Sequence, residues 1–229
     1  SVVYYVNDDS VSNGVFTSAA GSMDNTGLAP DVPLPSLAAV LDRYDLEPGD
    51  EVRIDTGQYA AETPPTVGNL DSGTAAEPVV IRGSPHATGT WLAHGLRLDN
   101  ARGVRVQDLR FESPAGIGLS IRASEDVRME GVDVLRAGSG IHVQISSNVT
   151  LRNVAVAFAK TNGVISEASY ATRLEFGTIW SNAAAQVVAR NLPVSGGVTN
   201  YNASFLSVSN SILGAFGQRI PVYELRGTL

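Results

Sequence analysis

A short alternating motif recurs along this chain at nearly constant spacing, and the recurrence restricts the fold more than any other feature. Val104-Arg-Val-Gln-Asp108-Leu-Arg-Phe111 is followed by Val127-Arg-Met-Glu-Gly131-Val-Asp-Val134 and by Val149-Thr-Leu-Arg-Asn153-Val-Ala-Val156. Looser copies are Thr172-Arg-Leu-Glu-Phe-Gly-Thr-Ile179 and Leu206-Ser-Val-Ser-Asn210-Ser-Ile-Leu213. Their central residues Val106, Met129, Leu151, Leu174 and Val208 stand 23, 22, 23 and 34 positions apart. A unit this short cannot bury its own apolar face and must stack on its neighbours, which makes a solenoid. Each period also holds a second strand, such as Ile117-Gly-Leu-Ser-Ile121 or Ile141-His-Val-Gln-Ile145. A leucine-rich repeat would need a fixed leucine ladder in that place. Two or three short strands per period describe a parallel β-helix, with coils stacked about 4.8 Å apart.

Within that frame, Ile117, Leu119 and Ile121 are expected over Ile141, Val143 and Ile145 in the bore. Asn153 and Asn210 share a turn position and are expected to hydrogen-bond the neighbouring coil through their side chains. The step of 34 reads as one coil carrying a loop of about 11 extra residues, placed at Asn191 to Asn200. The chain divides into residues 1–50, an N-terminal loop region with one capping helix, residues 51–217, the coils, and residues 218–229, a terminal strand. Within the last, Ile220-Pro-Val-Tyr-Glu-Leu225 reads as an open sheet edge in need of cover, so a single domain within a larger protein is expected. In the first segment Ser36 is an N-cap for Leu37, Val40, Leu41 and Tyr44, whose spacing makes one apolar stripe, and Pro48-Gly49 is a stop.

Composition narrows the function. The chain has 229 residues, with 23 acids against 16 bases and a net charge of −7. Phosphate recognition needs clustered Lys and Arg, so nucleic acid is not an expected partner. No apolar run approaches the roughly 20 residues of a membrane span. The absence of cysteine removes disulfides, thiol nucleophiles and zinc–thiolate sites. His86, His94 and His142 lack ligand spacing, so no metal site is expected. Asn7-Asp8-Asp9 and Asp24-Asn25 carry oxygen ligands of the kind calcium takes, and calcium is the one cofactor left open.

The N-terminal two-thirds resembles the opening of pectate-lyase-like right-handed β-helix proteins. The resembling residues are Tyr4-Tyr5-Val6, Asn25-Thr26-Gly27-Leu28-Ala29-Pro30, Pro48-Gly49-Asp50-Glu51-Val52, Gly57-Gln58-Tyr59 and Val79-Val80-Ile81-Arg82-Gly83. The resemblance implies an all-β right-handed parallel β-helix and an extracellular or cell-surface location. The family holds polysaccharide lyases, glycoside hydrolases, uronate epimerases, tailspikes and noncatalytic surface proteins. Its catalytic motifs do not carry over: there is no Arg-x-Pro-x-x-Arg and no Gly-His-Gly, and Ser84-Pro85-His86-Ala87 lacks the acids of the epimerase motif.

The resemblance points to the outward face of the strands holding Leu119 and Val143 as the sugar face. Its expected columns are Arg97, Ser120, Gln144, Glu167 and Val188; then Asp99, Arg122, Ser146, Ser169 and Arg190; then Gly118, His142 and Ile165. Gly118 and Ser120 would open a shallow groove there. His142 is the candidate general base and Glu167 the candidate acid, with Lys160 the one lysine a lyase would have as base. Arg97, Arg122, His142, Gln144, Glu167 and Arg190 are the candidate glycan contacts, and Asp99 is the expected ion-pair partner of Arg122. Three functions remain in order: a noncatalytic extracellular module contacting glycans or neighbouring subunits; a polysaccharide lyase or glycoside hydrolase acting on an acidic polymer; and a ligand-free stalk.

Overall fold

The computed structural model describes residues 1–60, 63–190 and 206–214 and the backbone of 223–226. It contains three wholly parallel sheets, of eight, seven and seven strands, named here A, B and C. One coil runs Ile117–Arg122 in sheet C, Glu125–Glu130 in sheet A and Asp133–Leu135 in sheet B. The next repeats the order with Ser139–Gln144, Ser147–Arg152 and Ala155–Ala157. The motif that repeats in sequence is therefore sheet A, one corner and sheet B.

The register follows the spacing. Val106, Met129, Leu151, Leu174 and Val208 are successive partners in sheet A. The pairing of Leu174 with Val208 confirms that the 34-residue step stays in register; the proposed loop at 191–200 lies outside the described residues. Tyr223–Arg226 continues sheet C beside Val187–Arg190, while residues 218–222 lie outside the description.

Alternation puts the apolar residues in one bore. Val104, Val106, Leu119, Ile121, Val127, Met129, Ile141 and Val143 are all at most 1% exposed and belong to one cluster. Sheet C differs from expectation by two residues: Leu119 pairs with Ile141, Ile121 with Val143, and Ile117 with Ser139. Ile145 is not in the bore. It turns the corner with φ 51° and is 46% exposed.

The corners rest on left-handed residues. Between sheets A and B these are Asp108, Gly131, Asn153, Phe176 and Asn210, with φ from 48° to 64°. Asparagine tolerates this conformation better than most residues. Its role here is thus in the backbone, and both asparagines are exposed. What crosses between coils is the main chain, as in Asn153 N–H to Glu175 O at 2.9 Å.

Between sheets C and A the left-handed residues are Asn100, Ala123, Ile145 and Ala168, and a buried line lies directly behind them. Ala101 N–H donates to Ser124 Oγ, Ser124 N–H to Ser146 Oγ and Ser146 N–H to Ser169 Oγ, each at 3.1 Å. Each hydroxyl in turn donates to a carbonyl two residues back, those of Arg122, Gln144 and Glu167. Ser146 and Ser169, expected on the outer face, are therefore internal. Gly118 also faces inward: a Cβ there would lie 2.2 Å from Val134 Cγ1, so it opens no outer groove.

The helix is short, Leu37–Leu41, with Ser36 Oγ accepting from Ala39 N at 3.1 Å. It ends well before Pro48-Gly49, and Leu37 and Val40 close the end of the bore. The preceding loop is tied down by Asp55, wholly buried, whose carboxylate accepts from the N–H groups of Val15, Phe16 and Thr17 at 2.7 to 2.9 Å.

Candidate functional site

The shift of two residues redraws the outer face of sheet C. One column is Arg97, Ser120, His142, Ile165 and Val188. The other is Asp99, Arg122, Gln144, Glu167 and Arg190. His142 thus lies in the column of Ser120, and Gln144 and Glu167 lie in that of Arg122. Ile165 and Val188 point outward yet are buried, forming a small apolar cluster with Ala185 apart from the bore.

Glu167 is the hub. It is 4% exposed, and its carboxylate meets three side chains from the two strands that flank its own. Arg190 Nε donates to Oε1 at 2.7 Å, Gln144 Nε2 donates to Oε2 at 2.7 Å, and His142 Nε2 lies 3.2 Å from Oε2. In-register stacking makes this convergence possible, because side chains at matching positions on adjacent coils are within reach of one another. Burial alone would raise the carboxyl pKa; the bonds from Gln144 and Arg190 outweigh it and hold Glu167 below its ordinary value. His142 is also held below its ordinary value, by burial first, against the pull of Glu167. The imidazole is therefore neutral at pH 7. With its Nε2–H given to Glu167, it keeps Nδ1 as an acceptor.

At the other end of the column Arg122 Nη1 sits 3.3 Å from Asp99 Oδ1, both well exposed. The expected ion pair is present. Glu167 does share its column with a second carboxylate, Asp99, contrary to expectation, and that acid is already neutralised by Arg122. Arg97 is exposed and, among the described residues, has no ion-pair partner. Lys160 stands apart: it is exposed in the turn between sheets B and C, where its N–H donates to Ala137 O. Four of the candidate residues thus come together, His142, Gln144, Glu167 and Arg190, while Arg97, Arg122 and Lys160 remain outside the cluster.

Of the oxygen-rich N-terminal residues, Asn7, Asp8 and Asn25 are engaged in turns through their side chains. Asn7 Nδ2 donates to Ser10 O and Ala19 O, Asp8 Oδ1 accepts from Ser10 N, and Asn25 Nδ2 donates to Pro33 O. Among the described residues no three His, Asp or Glu side chains gather as metal ligands would. Among the described residues no helix is long and apolar enough to cross a membrane.

No family model matches the chain, and no curated protein does. Among solved structures, pectate lyase Pel9A superposes with a TM-score of 0.57 at 14% identity, over 93% of this chain and 59% of its own. The fold is the pectate-lyase-like right-handed parallel β-helix. An alginate lyase from Paenibacillus sp. str. FPU-7 matches with a TM-score of 0.49 at 16% identity, over 78% of this chain and 72% of its own. Tailspike protein 2 of bacteriophage CBA120 gives 0.40 at 13%, over 93% and 30%. At these identities the likeness describes the fold alone, and this β-helix spans only part of each neighbour's length.

Proposed function

We propose that this β-helix is a noncatalytic glycan-binding module of a secreted or surface protein, with sheet C as its binding face. The observation that carries the reading is the state of Glu167. Its two oxygens are engaged by Arg190, Gln144 and His142, and its pKa is lowered, so it holds no proton to give a leaving group near neutral pH. The other acid in the column, Asp99, is paired with Arg122. What remains on the adjacent column is a row of hydrogen-bonding groups: Arg97, the Ser120 hydroxyl and His142 Nδ1. Such a row suits hydroxyl-rich sugars. Because Arg122 and Arg190 already hold carboxylates, this face favours a neutral or sparsely charged glycan over a polyuronate. A polysaccharide partner is further supported by the neighbour of TM-score 0.57, which is named a pectate lyase.

The test is a panel of neutral and anionic polysaccharides assayed both for binding and for turnover. Saturable binding to a neutral glycan is expected, weakened about two- to tenfold by Ser120→Ala or His142→Ala, the range for one neutral hydrogen bond. New reducing ends or unsaturated products from any substrate would overturn the noncatalytic reading. Failure to bind any glycan would leave the stalk reading in its place.

A further inference from the structure

The outer face of sheet A differs in chemistry from that of sheet C. Two columns run along it. One carries Glu51, Val80, Arg105, Arg128, Thr150 and Arg173 in successive coils. The other carries Arg53, Arg82, Gln107, Glu130, Arg152 and Glu175. Six arginines thus stand against three glutamates. This is not a reflection of overall charge. Residues 1–50 hold eight acids and one arginine, so the whole surplus of −7 lies in the N-terminal segment and the remainder of the chain is balanced.

Two of the three glutamates are each divided between two arginines. Glu51 lies 3.0 Å from Arg53 and 3.3 Å from Arg82. Glu130 lies 3.3 Å from Arg128 and 4.0 Å from Arg152. Arg105 falls between these two groups and has no ion pair among the described residues. At the strand starts, Glu125 is held by Arg102 and Asp126 by Asn148, so neither serves Arg105. Asp108, exposed at the following corner, lies in the field of Arg82 and Glu130. The Nε atoms of Arg82 and Arg128 are buried and face carboxylates of Glu51 and Glu130 at 3.3 Å, while the Nε of Arg105, on the coil between them, is buried with neither a hydrogen-bond nor an ion-pair partner among the described residues. A buried donor of a charged group left unpaired is costly, and an anion that reaches it relieves the cost.

We propose that sheet A binds an acidic polysaccharide, with Arg105 and Arg128 as the centre of the site and Arg82 at its margin. The two central guanidiniums are register partners on adjacent coils, about 4.8 Å apart along the axis. A carboxylate or sulfate is the group that a guanidinium meets with two parallel hydrogen bonds. A polymer lying along the axis would present such groups to successive coils. A duplex nucleic acid fits less well, since its dense phosphates call for a broad cluster of Lys and Arg and sheet A offers only a narrow basic strip. This site is separate from sheet C and does not depend on the reading of that face.

The experiment titrates the full chain with size-defined oligogalacturonates and heparin oligosaccharides, with dextran and single-stranded DNA as controls. The wild type should bind one or both acidic oligosaccharides at low salt, with affinity falling as salt rises, and should not distinguish itself from the variants on dextran. Oligogalacturonate binding would name a carboxylate ligand, and binding of heparin alone a sulfate. Arg105→Gln and Arg128→Gln should each weaken binding about tenfold or more, while Ser120→Ala and His142→Ala leave it unchanged. Unaltered thermal midpoints establish that the glutamine variants are folded. Equal affinity in Arg105→Gln and the wild type, no binding of either acidic oligosaccharide, or equally tight DNA binding would each overturn the proposal. So would a self-association that Arg105→Gln abolishes, which would assign the strip to the acidic N-terminal segment of a second copy.

Discussion

Replacing Ser146 with alanine tests whether the serine line is a structural necessity or an accident of composition. Ser146 is 4% exposed, and its Oγ is the acceptor for the buried Ser124 N–H at 3.1 Å. The hydroxyl also donates to Gln144 O, but that carbonyl keeps the Ala123 N–H at 2.9 Å, so it is not orphaned by the change. The Ser146 N–H still reaches Ser169 Oγ. The loss therefore concentrates on one buried N–H, whose desolvation costs about 1–3 kcal/mol. For a chain of this size that is a fall of about 2 to 12 °C in the thermal midpoint. Ser120→Ala, on the outer face, should move it by no more than about 0.5 kcal/mol. Thermal and urea unfolding of the two variants beside the wild type provide the comparison. Equal midpoints for Ser146→Ala and Ser120→Ala would mean that the Ser124 N–H finds water or another acceptor, and the reasoning would fail.

Val143 lies in the bore at 0% exposure, so Val143→Asp should cost several kcal/mol while Ser120→Asp leaves the urea midpoint nearly unchanged. Gln144→Asp is not a bland outward change, because it would set a second carboxylate against Glu167, and a clear loss of stability is expected on titration above pH 5. Acidification should weaken the fold through two groups. His142 and Glu167 both have native pKa values below their ordinary 6.5 and 4.5, so the unfolded chain takes up protons first as pH falls. Stability is then full above those values and declines beneath them; His142→Gln should flatten urea midpoints near pH 6 and leave the decline near pH 4. Ala123 is exposed with φ 48°, and Ala123→Gly should raise stability by about 0.5–1 kcal/mol, measured in the same unfolding series.

The sheet A register was legible because one residue near each motif centre, Val106, Met129, Leu151, Leu174 or Val208, recurs without ambiguity. Sheet C was harder for a physical reason. Ile117-Gly-Leu-Ser-Ile121 and Ile141-His-Val-Gln-Ile145 alternate with period two, and a slip of two residues preserves every inward and outward assignment. Apolarity could not choose between the registers. The corner chooses: Ile145 must turn, and Ser146 must meet the N–H of Ser124. The spacing of Ser124, Ser146 and Ser169, 22 and 23, matches the central period and was the available signal. His142, Glu167, Gln144 and Arg190 were visible as candidates one by one, but their convergence on a single carboxylate depends on that register. The sheet A arginines recur at one motif position, in Val-Arg-Val, Val-Arg-Met and Thr-Arg-Leu, and attention to the outer face of that motif would have found them.

The corners also govern how such a gene can change in length. An insertion or deletion of one residue inside a strand would turn every later side chain of that strand inside out, placing charge in the bore and valine in water. Removing a whole coil, with its corners, joins surfaces that were already alike. Adding residues between the end of one strand and the start of the next leaves both ladders in place, as the in-register pairing of Leu174 with Val208 across 34 residues demonstrates. Tolerated length variants of this protein should therefore come in steps of a full coil or fall at a bend, and strand interiors should be silent to indels over any span of descent.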